Sequence, residues 1–116
     1  MRMARPAVHT DIWTDAQVMA AENPDTFEAP SSAELRALHP GSVVKVHNGQ
    51  ERFWVMVTGI CPHASGFGPA LTAFRGRVMH RLVFEAPYDR GDTVEFEGRH
   101  IYAIQFVMRA PLADAA

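Results

Sequence analysis

Between Gly41 and Ile60 the chain reads GSVVKVHNGQERFWVMVTGI. Two alternating apolar runs, Val43 to His47 and Arg52 to Ile60, flank the pair Asn48-Gly49. An Asn-Gly pair in that setting is the strongest short-range hairpin signal, because both residues tolerate the positive φ of a type I′ turn. Gln50 and Glu51 also look unpaired, which allows a longer connection. On the second run, alternation separates Phe53, Val55 and Val57 from Arg52, Trp54, Met56 and Thr58. Both sets are largely apolar, so the pattern predicts a strand covered on both faces, with Trp54 and Met56 under the helices that precede the hairpin.

Residues 1–13 carry no periodic pattern and read as a flexible lead. Thr14 and Gln17 have capping-box spacing, predicting a short helix from Asp15 to Glu22 that ends at Asn23-Pro24. Ser31 and Glu34 repeat the spacing and predict a second helix, Ser32 to Leu38, with Leu35 and Leu38 inward. Cys61 to Thr72 is rich in Gly and Pro and reads as a long loop, the kind of segment that often carries function. Further strands are predicted over Ala73 to Phe84, Thr93 to Glu97 and Ile101 to Met108, with 109–116 as a frayed tail. The expected architecture is mainly β (α+β): a small five-stranded SH3-like antiparallel barrel with two short N-terminal helices, one domain over residues 14–108.

At 116 residues a single core is large enough to stand without disulfides or metal. The formal charge of −2 gives no global attraction to nucleic acid. Cys61 is the only cysteine, which fits a reducing compartment. No stretch is apolar and long enough for a signal peptide or a membrane span, so the cytoplasm is the expected location, with no membrane partner.

Several segments occur in a fixed order: AAENPDTFEAP, a Ser pair, PGSVVKV, ERFWVMV, FRGRV and GDTVEFEGRHIYAI. That order resembles the YegJ-like family, an uncharacterised bacterial and phage family known as a domain of unknown function. The similarity runs from Ala20 to Ile104. Its most specific parts are ERFWV (Glu51 to Val55) and GDTV (Gly91 to Val94). Family members carry an Asn-rich segment where this chain has VMHRLVFEAP, which has no Asn. The resemblance implies a fold and a lineage, and no reaction.

Cys61-Pro62-His63 is the nearest approach to a metal or thiol site, with His80 and His100 elsewhere. Zinc demands four ligands, commonly in paired spacings, and only one such pair exists here. A catalytic thiol would need Cys61, one of His63, His80 or His100, and an acid such as Asp92 to converge. Glu95 and Glu97 share one strand face, as a solvated face would. The expectation is therefore no cofactor, no metal and no enzymatic activity.

The arginines are more informative. Arg77 and Arg81 at i and i+4 on a strand would project to one face, with Arg75 and His80 beside them and Lys45, His47 and Arg52 on neighbouring strands. Trp54, Phe67 and Tyr102 would add aromatic faces. The expected binding set is Arg52, Trp54, Phe67, Arg75, Arg77, Arg81 and Tyr102. The first reading is a non-enzymatic binding module for an unknown protein partner, with self-association through a sheet edge as a variant. The second is a single-stranded nucleic-acid or RNA-binding barrel using Arg77 and Arg81. Interleaved Glu51, Glu85, Glu95 and Glu97 argue against it by offering ion-pair partners to the same arginines.

Overall fold

The computed structural model describes residues 8–61 and 68–105. Its strands are β1 (Val8–His9), β2 (Val43–His47), β3 (Arg52–Cys61), β4 (Ala73–Val78), β5 (Thr93–Glu97) and β6 (Ala103–Ile104). Helices α1 (Ala16–Glu22) and α2 (Ser32–Arg36) lie between β1 and β2, and single 3-10 turns cover Pro69–Leu71 and Gly98–His100.

The strands form one six-stranded sheet in the order β1-β5-β4-β3-β2-β6. β1 joins β5 in parallel and every other pairing is antiparallel. The predicted closed five-stranded barrel is therefore incorrect, although the mainly-β class stands. The two edges of the sheet are taken by β1 and β6, which do not pair with each other, so the sheet stays open.

Alternation along β3 explains how the faces were misjudged. Phe53, Val55 and Val57 are at most 1% exposed, whereas Arg52, Met56 and Thr58 are exposed and Trp54 is half-buried. One face is core and the other is wet, the ordinary condition of an antiparallel sheet. The helices serve the core side: Leu35 and Leu38 cluster there with Val44, Val46 and Ile101. Trp54 is not beneath them.

Of the segment 1–13, expected to be a flexible lead, residues 8–13 pack on the sheet and 1–7 lie outside the described residues. After β1, Trp13 is buried at the centre of an aromatic cluster, 6.0 Å from the ring centres of Phe53 and Tyr88 and 6.4 Å from that of Phe96. Its indole N–H donates to the Glu95 carbonyl of β5 at 2.9 Å. The next residue, Thr14, donates its amide to the His47 carbonyl of β2 at 2.9 Å. The leading segment thus straps β5 to β2 over the core side of the open sheet. Tyr88 completes the cluster, its hydroxyl donating to Asp11 and accepting from Asn48.

Local signals were read with mixed success. Ser31 and Glu34 form the capping box that caps α2. The start of α1 differs: Asp15 is the cap, accepting from the Val18 amide, while the Gln17 amide reaches the Pro30 carbonyl and the Thr14 hydroxyl meets His47 Nδ1. The hairpin turn is the longer form, Asn48 to Glu51, because His47 pairs with Arg52. Only Gly49 takes a positive φ there, and Asn48 Oδ1 accepts the amides of Gln50 and Glu51. β4 stops at Val78 instead of Phe84, and β6 is two residues where a longer strand was expected; 106–108 lie outside the described residues. β3 and β4 approach so closely at Gly76 that a Cβ there would overlap Val55 and come within 2.7 Å of the Met56 carbonyl oxygen.

Candidate binding face

Register places the outward residues of neighbouring strands side by side. Lys45 of β2 faces Trp54 of β3, and Met56 of β3 faces Arg77 of β4. Arg77 in turn faces Thr93 of β5, and Arg75 faces Glu95. Four of the expected binding residues, Arg52, Trp54, Arg75 and Arg77, therefore stand on one outer sheet face, opposite the core. Tyr102 sits at its β2 margin, where its amide donates to the Lys45 carbonyl at 2.8 Å.

Arg81 is not part of that row. With β4 ending at Val78, it belongs to the loop that follows, so the predicted i and i+4 pairing of Arg77 and Arg81 along one strand does not form. Phe67 and His63 lie outside the described residues. Cys61 is exposed at the end of β3 opposite Ala73. No group of three or more His, Cys, Asp or Glu among the described residues could hold a metal ion. The residues imagined around a thiol have other tasks. His80 Nε2 accepts the Trp54 amide at 3.0 Å, His100 Nδ1 accepts the Glu97 amide at 3.0 Å, and Asp92 accepts the Asp89 amide at 2.9 Å.

The face carries cations held over rings. Lys45 Nζ is 4.8 Å from the centre of the Trp54 ring, and the Arg52 guanidinium is 5.9 Å from that of Tyr102. Each such contact contributes about 0.5–1 kcal/mol at an exposed site. Tyr102 also meets His47 edge-on at 6.1 Å and Phe27 at 6.3 Å. Burial, with the Arg52 charge next, lowers the His47 pKa, so this imidazole is neutral and adds no charge to the face. Burial raises the Tyr102 hydroxyl.

The carboxylates that seemed to interleave with these cations are mostly engaged elsewhere. Glu97 pairs with Arg99 at 2.7 Å, and Asp15 pairs with the same guanidinium at 3.2 Å. Glu51 binds backbone amides. Among the described residues, Arg75 and Glu95 form the one cross-strand ion pair on this face, at 3.3 Å and well exposed. Lys45, Arg52 and Arg77 have no carboxylate partner among the described residues.

Strand alternation already sets Met79 on the Arg77 side; it is 38% exposed, and its amide donates to the Trp54 carbonyl at 3.1 Å. One contributor escapes the sequence. Glu51 reads as a turn residue, and only three-dimensional proximity shows what its carboxylate holds. Three clefts among the described residues enclose about 210, 250 and 200 Å³. Each falls short of the roughly 300–1,000 Å³ of small-molecule sites. The third contains Asp11, Glu95, Glu97, Arg99 and His100. There burial, then the Arg99 charge, lowers the His100 pKa.

Comparison with known proteins returns nothing: no family model, no curated protein and no solved structure matches the chain. No helix among the described residues is long and apolar enough to cross a membrane.

Proposed function

We propose that this chain is a non-enzymatic binding module that engages a protein partner through the outer face of its sheet, in the cytoplasm. A YegJ-like lineage, suggested by the ERFWV and GDTV segments, belongs to the same proposal and adds no reaction to it. The observation that carries the reading is the placement of Trp54: it faces out from a central strand, between Lys45 and Met79, rather than into the core. Trp, Met and Arg are the residues enriched at protein interfaces, and this face presents all three together.

A single-stranded nucleic acid is the second reading, favoured by the three cations without carboxylate partners. Counterion release makes salt the discriminator, since binding to phosphates falls steeply as ionic strength rises. Against this reading, the Trp54 and Tyr102 rings already carry cations where bases would stack.

The test is site-specific photocrosslinking in the cells that make the protein. A photoreactive phenylalanine at Trp54 or Met56 is expected to yield light-dependent protein adducts. The same group at Ile12, which is 88% exposed and away from the face, is the control. Equal adducts at all three positions, or none at Trp54 and Met56, would overturn the reading.

A further inference from the structure

Pairing along β3 continues beyond β4. From Met79 to Phe84 the chain runs beside β3 toward that strand's first residues. Met79 donates to the Trp54 carbonyl, His80 accepts the Trp54 amide, and the Glu51 carboxylate accepts the amides of Val83 at 3.0 Å and Phe84 at 2.8 Å. From Trp54 back to Glu51 is about 10 Å at the rise of a strand. Side chains thus hold this segment where a ladder would hold a strand, and both carboxylate oxygens of Glu51 are used in doing so.

The result is an apolar tip that is fixed and yet wet. Val83 is 83% exposed and Phe84 50%. Charge-assisted bonds of this kind are about twice as strong as neutral ones, and here they hold two apolar side chains in water instead of turning them inward. An interrupted strip follows: Met56, Trp54 and Met79 adjoin on the outer face, Arg52 comes next, and Glu51 holds the tip beyond it. Lys45, Arg52 and Arg77 flank it without carboxylate partners among the described residues.

Resting on the binding reading above, we infer that this strip docks an acidic amphipathic segment of another protein. Its apolar side chains engage Trp54, Met79 and the Val83–Phe84 tip, and its carboxylates meet Lys45, Arg52 and Arg77. Charge complementarity selects the occupant. A second copy of this chain in a two-fold contact would set the same cations against one another. A nucleic-acid strand would satisfy the cations but leave Val83 and Met79 without apolar partners.

The experiment is fluorescence anisotropy on the full chain with three labelled probes. One is a peptide of Glu and Asp carrying Leu and Phe at helical spacing; the second replaces those Leu and Phe by Ser; the third is oligo(dT). The first probe is expected to bind tightest, with a loss of roughly tenfold in the second, the scale of interface anchors. Phe84→Ser and Val83→Ser alter exposed positions and are expected to weaken the first probe several-fold with melting unchanged. Glu51→Gln is expected to weaken it too, while speeding hydrogen exchange at the Val83 and Phe84 amides. If Trp54→Ala weakens binding and the tip variants do not, the docking strip is overturned and the binding-face reading survives. If Trp54→Ala is also silent, both fall. Tighter binding of oligo(dT) than of the first peptide overturns the partner class.

Discussion

Trp13 donates its indole N–H to the carbonyl of Glu95, a residue 82 positions further along the chain. The ring lies among Phe53, Tyr88 and Phe96, so this side chain is the buried anchor of the strap formed by residues 8–14, beside the Asp11–Tyr88 and Thr14–His47 bonds. Trp13→Ala is expected to cost about 3–5 kcal/mol, the range for emptying a buried aromatic site. Trp13→Phe keeps most of the ring and loses the donor, leaving a smaller deficit near 1 kcal/mol, the approximate net value of a hydrogen bond. Urea unfolding monitored by circular dichroism separates the two. A Trp13→Ala variant as stable as the parent would refute the anchoring role.

Gly76 permits β3 and β4 to approach. A methyl group there meets the Val55 side chain and the Met56 carbonyl, and the carbonyl belongs to the sheet and cannot swing away. Gly76→Ala is expected to destabilise by about 1–3 kcal/mol or more, as overpacking does. Gly59, beside the register shift in β3, has open space around its would-be Cβ. Gly59→Ala is the matched control and is expected to leave the unfolding midpoint nearly unchanged.

Acid should weaken the fold through the His100 and His47 imidazoles. Burial first, and the Arg99 charge next, hold the His100 imidazole below its ordinary value of 6.5, with Glu97 and Asp15 opposing. Once unfolded, the same imidazole takes up a proton near 6.5, so between the two values the unfolded chain binds more protons. Stability is then full above 6.5 and declines as pH falls through the window below it. His47 contributes with the same sign. Unfolding midpoints measured from about pH 8 to about pH 5 should fall, and His100→Gln should flatten the decline.

Asp89 governs the loop after β4 at lower pH. Its Oδ1 accepts the amides of Leu82 at 2.9 Å and Arg90 at 2.8 Å. The Leu82 amide first, then that of Arg90, holds its carboxyl below the ordinary 3.8. The contribution is present above 3.8 and lost as pH falls through the depressed value. The Leu82 amide resonance should therefore titrate with an inflection below 3.8. An inflection at or above that value would contradict the assignment.

Short-range signals were legible and long-range ones were not. The hairpin of β2 and β3, the capping box of Ser31 and Glu34, and the split of Phe53, Val55 and Val57 from Arg52, Trp54 and Met56 follow from spacing and alternation alone. That Trp54 faces out did not, because apolar residues on both faces of a strand look alike whether the second face is covered or waiting for a partner. The N-terminal strap was missed for a different reason. Two residues of β1 carry no periodicity, and their pairing with β5 depends on a segment at the other end of the chain. At the candidate face, Arg52, Trp54, Arg75 and Arg77 could be grouped from strand alternation, whereas Arg81 was misplaced because His80 and Glu51 replace ladder bonds that a longer β4 would have made.

The parallel seam between Val8–His9 and Thr93–Glu97 has a bearing on biosynthesis. While the polypeptide is emerging from the ribosome, Val8 and His9 have no mate until β5 has been translated, although β2, β3 and β4 can already zip together. Nascent chains arrested before Thr93 would leave the aromatic cluster incomplete around Trp13, a sticky intermediate of the sort that chaperones retain.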